Sequence, residues 1–174
     1  EFRRVLFRSA PDELMEMYAL IGKAVWACQN VENTLQHFAT FALDLVTREM
    51  GTVTQEEAQL YLDQRRRKTL GPTIKSITKN NLVSEEAADT LSWLLDERNW
   101  LMHNVLYWNA DDLYKGTNRD KLFVRINKIA DAAFDVNNKV SQEWDEIAKQ
   151  YGVYPAKAEK EARAQLRSLS ENGS

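Results

Sequence analysis

Ten positions between 14 and 45 constrain this chain more than any other feature. Residues 14, 17, 21, 24, 28, 31, 35, 38, 42 and 45 are Leu, Met, Ile, Ala, Cys, Val, Leu, Phe, Ala and Leu. All are apolar, and the spacing alternates three and four, the repeat of one face of an α-helix. The pattern predicts an amphipathic helix of about 35 residues, from near Pro11-Asp12 to Met50. Pro11 suits a first turn, and Gly51 marks the stop. A stripe this long must be covered, either in a bundle core or along a dimer seam. Ala24, Cys28 and Ala42 are small enough to let a covering helix approach closely.

The rest of the chain carries the same kind of signal. Thr54 and Glu57 make a T-x-x-E capping box, which opens a weaker helix to about Lys68. Thr69-Leu-Gly-Pro-Thr73 punctuates. Pro72 then opens a short helix with Ile74 and Ile77, ending near Asn80-Asn81. Ser84 caps a strong helix in which Leu91, Leu94, Leu95, Leu101, Met102, Val105 and Leu106 line one face, ending near Tyr107-Trp108. A polar loop covers 109–118. A last long helix runs from about Arg119 to Tyr151 on the stripe Leu122, Ile126, Ile129, Ala133, Val140, Trp144, Ile147 and Tyr151, with Gly152 and Pro155 beyond it.

Composition agrees with this reading. A chain of 174 residues, 44% hydrophobic and 28% charged, buries a real core as one domain. Six Gly and three Pro are too few for a turn-rich all-β fold. The expected class is all-α: a bundle of about five helices with long first and last members, and with no strand or repeat. The bundle spans residues 10–152. Residues 153–174, rich in Ala, Glu, Lys and Arg, form a charged helix or tail. Residues 1–9 look like the translation of a sequencing-adapter read and are set aside from the fold. Without Glu1, Arg3, Arg4 and Arg8, the balance of 23 basic against 26 acidic residues becomes 20 against 25, a formal charge of −5 rather than −3.

That charge provides no general positive field for nucleic acid, so a polyanion must meet a local patch. One Cys excludes an intramolecular disulfide. One Cys with two His cannot build a usual zinc site, and no metal or cofactor is expected. The best apolar run, Phe38 to Val46, is short and interrupted by Thr40 and Asp44. A membrane span is not expected, and the cytoplasm is the default compartment. Cys28 falls at a core position and reads as a small apolar residue. His37 falls beside the stripe and reads as a surface histidine.

The segment Glu97-Arg-Asn-Trp-Leu-Met-His-Asn104 carries the chemistry. Arg98 is the odd residue in the apolar series Leu91, Leu95, Arg98, Met102, Val105, and a charge there is costly unless paired or solvated. Asn99 and His103 are four apart and share a face. Arg98 and His103 are five apart, about 140° around an ideal helix, and so flank a groove rather than touch.

In this context Arg98-Asn99-x-x-x-His103 resembles the R-x4-6-H signature of the HEPN superfamily, with a polar residue after the Arg. A long first helix, and Leu70-Gly71-Pro72-Thr73-Ile74 leading into a short helix before the motif helix, resemble it too, over roughly residues 12–151. The resemblance implies an α-helical homodimer and a metal-independent endoribonuclease of toxin–antitoxin or antiviral type. RNA would be the substrate and an antitoxin protein a partner. His103 would move protons at the 2′-hydroxyl or the leaving oxygen, a task an imidazole suits because its charge changes near neutral pH. Arg98 would hold the phosphate and its developing charge, and Asn99 would orient Arg98 or bind a phosphate oxygen. The products would be a 2′,3′-cyclic phosphate and a 5′-hydroxyl. His103 is followed by Asn104 and Val105, not by the H-x-Y of many toxin members, so a modified tyrosine is not implied. The alternative is a non-catalytic helical interaction and dimerisation module.

Three further features have two readings each. Glu32 is the one charge among positions 18, 25, 32, 39 and 46 that flank the first stripe. It either pairs with Arg98 and positions it, or reaches solvent. Arg65, Arg66, Arg67 and Lys68 are either a solvated helix end or a phosphate-steering patch for RNA. Trp100 and Trp108 are either packing anchors or stacking platforms for a base.

Overall fold

The computed structural model describes residues 11–48, 53–105 and 118–153. Among them the chain is all-α, with five α-helices and no strand. Helix α1 (Pro11–Ala39) runs on through a π turn (Thr40–Leu45) and a 3-10 turn (Val46–Arg48). It is followed by α2 (Gln55–Arg66), α3 (Leu70–Lys79), α4 (Glu85–His103) and α5 (Arg119–Gln150). The adapter-like segment 1–9, the loop 109–117, Leu106, Tyr107, Trp108 and residues 154–174 lie outside the described residues. No helix among those described is long and apolar enough to cross a membrane.

The predicted stripe builds the core. Met17, Ala24, Cys28, Val31, Leu35 and Phe38 are buried, and Ile21 packs half-buried beside them. They meet Ile126, Ile129, Ala133, Val136 and Val140 of α5, the most extensive helix–helix contact among the described residues. The two long helices run in the same direction. Lys23 pairs with Asp131, Trp26 packs on Phe134, Phe38 stacks on Trp144 and Phe41 meets Tyr151 edge-on. Helix α4 runs antiparallel to α5: Glu86 pairs with Lys139 and Glu97 with Arg125.

The first helix departs from its straight-helix reading at Thr40. The hydroxyl of Thr40 donates to the carbonyl oxygen of Gln36 at 2.8 Å, inside the core. Such back-bonding bends and loosens helices. The next turn is π-helical, with the Val46 N–H bonded to the Phe41 carbonyl. Burial moves onto Phe41, while Ala42 and Leu45 stay half-buried.

Caps set the other boundaries. Thr54 and Glu57 form the reciprocal capping box of α2, the Glu57 carboxylate accepting from Thr54 N–H at 2.9 Å and the Thr54 hydroxyl from Glu57 N–H at 3.2 Å. Helix α3 starts at Leu70, two residues before Pro72, which is tolerated in a first turn. Beyond its C-cap Asn80, the φ of 52° at Asn81 lets Leu82 N–H bond the Ile77 carbonyl and Asn81 N–H the Thr78 carbonyl. Gly152, at φ 71°, closes α5 with the same two-bond motif through Val153 and Ala148. Helix α4 ends at His103 with Asn104 as its C-cap, and the predicted end at Tyr107-Trp108 lies outside the described residues.

Candidate functional site

The motif lies on α4, and its geometry follows from which face of that helix is buried. The buried series is Ala87, Leu91, Leu94, Leu101 and Val105. Arg98 fills the one gap in it, four residues after Leu94 and three before Leu101. This corrects the predicted face: Leu95 is half-buried beside Gly71 of α3, and Met102 is 46% exposed. The charge therefore interrupts the true core stripe.

Arg98 persists there because α1 supplies a counter-charge. Its Nη2 stands 3.6 Å from Oε2 of Glu32, and the two side chains are 29% and 22% exposed. The Asn99 side-chain oxygen accepts from Arg98 Nη1 at 3.4 Å. Cys28, one turn before Glu32, lies buried in the field of both charges. Burial pushes its thiol up to about 11, with Arg98 pulling down and Glu32 adding to the rise. Half-burial makes this pair more than a surface ion pair, since water screens it less.

His103 is exposed at the C-terminal end of the same helix, on the face of the exposed Asn99 and Met102. A regular helix carries it about 140° round from Arg98. One chain thus brings Arg98, Asn99 and Glu32 together but leaves His103 on another face. A groove between α3 and α4, lined by Lys75, Thr78, Lys79, Ser92 and Leu95, contains none of the four.

The basic run does not act as a unit. Arg65 is buried, and its Nε donates to Asp44 Oδ2 at 2.6 Å. It ties the end of α2 to the π turn rather than standing on the surface with its neighbours. Arg66, 3.8 Å from Asp63, is exposed, as are Arg67 and Lys68. His37 is half-buried rather than on the surface. Burial, and after it the charge of Arg66, holds its imidazole below the usual value of 6.5. Trp100 is covered on one face by the Arg125 guanidinium, 3.6 Å from the ring centre.

Arg125 is the residue that sequence reasoning missed. Its Nε and Nη2 donate to the two carboxylate oxygens of Glu97, the motif's flanking residue, at 2.8 and 3.1 Å. The only signal for it was a basic series at helical spacing, Lys121, Arg125 and Lys128, on a helix whose apolar stripe drew attention instead. Among the described residues, no group of three or more His, Cys, Asp or Glu is arranged to hold a metal ion.

Fold and site together define an all-α bundle in which a half-buried arginine–carboxylate pair joins the motif helix to the first helix. Compared with family models, curated proteins and solved structures, the chain finds no significant match in any of the three.

Proposed function

We propose that this chain is a HEPN-type endoribonuclease that works as a homodimer and cleaves RNA without a metal ion, as a toxin or antiviral effector. The observation that carries the reading is the Glu32–Arg98 pair. A guanidinium stands in the buried stripe of the motif helix, at a place where leucine would be the stable choice. It is held by a carboxylate on another helix, and Asn99 hydrogen-bonds it. Such support pre-organises a phosphate-binding fork before substrate arrives. His103, exposed about 140° away around the helix, then calls for a second copy, so that the Arg98 of one protomer and the His103 of its partner share one cleft.

In that cleft His103 removes the 2′-hydroxyl proton as the 2′-oxygen attacks the adjacent phosphorus. Arg98 neutralises the charge growing on the phosphoryl oxygens. The 5′-oxygen takes a proton from solvent water and leaves as a hydroxyl, the proton held by His103 returns to solvent, and a 2′,3′-cyclic phosphate remains. The test is cleavage of a pool of structured RNAs in EDTA. His103→Ala is expected to lose a factor of about 10²–10⁴ while staying folded. Full cleavage by that variant sinks the mechanism.

One observation favours a second reading. Arg98 is already engaged by Glu32 and Asn99, which also suits a non-catalytic module whose polar network specifies helix register. That module predicts no RNA cleavage by the wild-type chain and a dimer that Arg98→Ala weakens.

A further inference from the structure

The seam between α4 and α5 carries a basic strip that the motif does not account for. Lys121, Arg125 and Lys128 follow one another at four- and three-residue spacing, and all three are exposed. They span about 10 Å at 1.5 Å per residue. Two of them lie over indole rings of α4: Arg125 stands 3.6 Å from the centre of the Trp100 ring and Lys128 5.2 Å from that of Trp93. The strip ends at Asp131 and Asp135 on α5, which line the same groove as Lys128; Lys23 of α1 pairs with Asp131, and the exposed Asp96 of α4 flanks the strip.

Arg125 differs from an ordinary surface arginine. Its guanidinium is stacked on Trp100 and forked by Glu97, so its plane is fixed on two sides. Its side chain is nevertheless 43% exposed. The fork uses the Nε and Nη2 edge. In a planar guanidinium Nη1 then lies on the far side from Glu97, where it can meet a phosphate oxygen without losing rotamer entropy. Glu97 offsets part of the charge but sets the direction of the donors.

The strip also points at the motif. Helices α4 and α5 are antiparallel, with Glu97 and Trp100 level with Arg125, and Trp93 near Lys128. Continuing that register sets His103 level with the first turn of α5, where Lys121 is exposed. His103 also lies on the flank of α4 next to Trp100, about 60° further round.

We infer that Lys121, Arg125 and Lys128 form a phosphate-backbone track for single-stranded RNA, which delivers the strand to His103. The inference rests on the ribonuclease reading for the identity of the polyanion. It explains how a chain of formal charge −3 holds RNA at all: a short directed strip replaces a general positive surface. A planar guanidinium on an indole also offers a platform on which a base can stack.

The experiment measures binding of a fluorescent single-stranded oligoribonucleotide by His103→Ala protein, which holds RNA intact, over a range of salt concentrations. Adding Lys121→Gln and Lys128→Gln, both on exposed positions, is expected to weaken binding about ten-fold near 150 mM salt and to reduce the salt slope by about 1.4. Arg125→Lys keeps the charge but loses the fork, and is expected to weaken binding with little change of slope. Unchanged affinity in both the double-lysine variant and Arg125→Lys overturns the track, as does equal affinity for polyglutamate of matched length. The two readings fail separately. Wild-type protein that binds through the strip but never cleaves removes the nuclease and keeps the track. Wild-type protein that cleaves, with strip variants cleaving equally well, removes the track and keeps the nuclease.

Discussion

Arg98 of α4 and Glu32 of α1, 66 residues apart in the sequence, meet at 3.6 Å in the one gap of the α4 core stripe. A half-buried pair of this kind lies between two regimes: surface pairs contribute about 0–1 kcal/mol, and breaking a buried one costs about 3–5 kcal/mol. Glu32→Gln should therefore destabilise by about 1–2 kcal/mol, seen as a lower urea midpoint with an unchanged slope. Replacing both residues by Met should restore or exceed wild-type stability, because no charge is then left unpaired. If the double variant is stable yet fails to cleave RNA, the pair is kept for activity rather than for folding. If it is as unstable as Glu32→Gln, the pair is a structural contact.

His103 makes the opposite prediction for stability. It is exposed, at the last residue of α4, and contributes no packing to the core. His103→Ala should shift unfolding by no more than about 0.5 kcal/mol. A large drop in melting temperature would contradict this placement and would favour a structural polar network around the imidazole. The control matters because the cleavage test in EDTA uses the same variant.

Local signals in the sequence were strong where chemistry is local. The stripe from Met17 to Phe38, the Thr54–Glu57 box, the Ser84 cap and the Gly152 stop all act within a turn or two, and the structure has each of them. The π turn was not legible, because it depends on which carbonyl the Thr40 hydroxyl finds once packed. The run Arg65 to Lys68 fans around its helix, and the sequence does not say which member turns inward; Arg65 does, to Asp44. The Glu32–Arg98 pair is legible as one of two alternatives, because Glu32 is the lone charge among the positions flanking an apolar stripe. The Arg125–Glu97–Trp100 arrangement is not, since it joins residues 25 to 28 apart that only the α4–α5 register aligns.

The two left-handed caps give a test of the backbone alone. Gly152 has φ 71° with open space around it, so an added Cβ meets no atom and the cost is conformational only. Gly152→Ala should destabilise by about 1 kcal/mol, or about 2–4 °C in melting temperature. Asn81, at φ 52°, carries a residue that tolerates this region less well than glycine does. Asn81→Gly should stabilise by about 0.5 kcal/mol. A stabilising Gly152→Ala would show that α5 does not end in this motif in solution.

His37 ties stability to pH. Burial, and then the Arg66 charge, lower its folded pKa below the ordinary 6.5, so the folded state prefers the neutral ring. Below pH 6.5 the unfolded chain takes up the proton first, and stability rises with pH wherever the unfolded state binds more protons. The contribution is thus complete above about pH 6.5 and is lost as pH falls through the folded value. Carboxylates act in a different window: Glu86, held low by its hydrogen bond to Lys139 and then by that charge, loses its contribution only below its ordinary 4.5. Wild-type protein should therefore lose melting temperature on acidification from pH 6.5 to 5, and His37→Gln should flatten that slope while keeping the fall at lower pH. A slope that survives the substitution assigns the transition to another group.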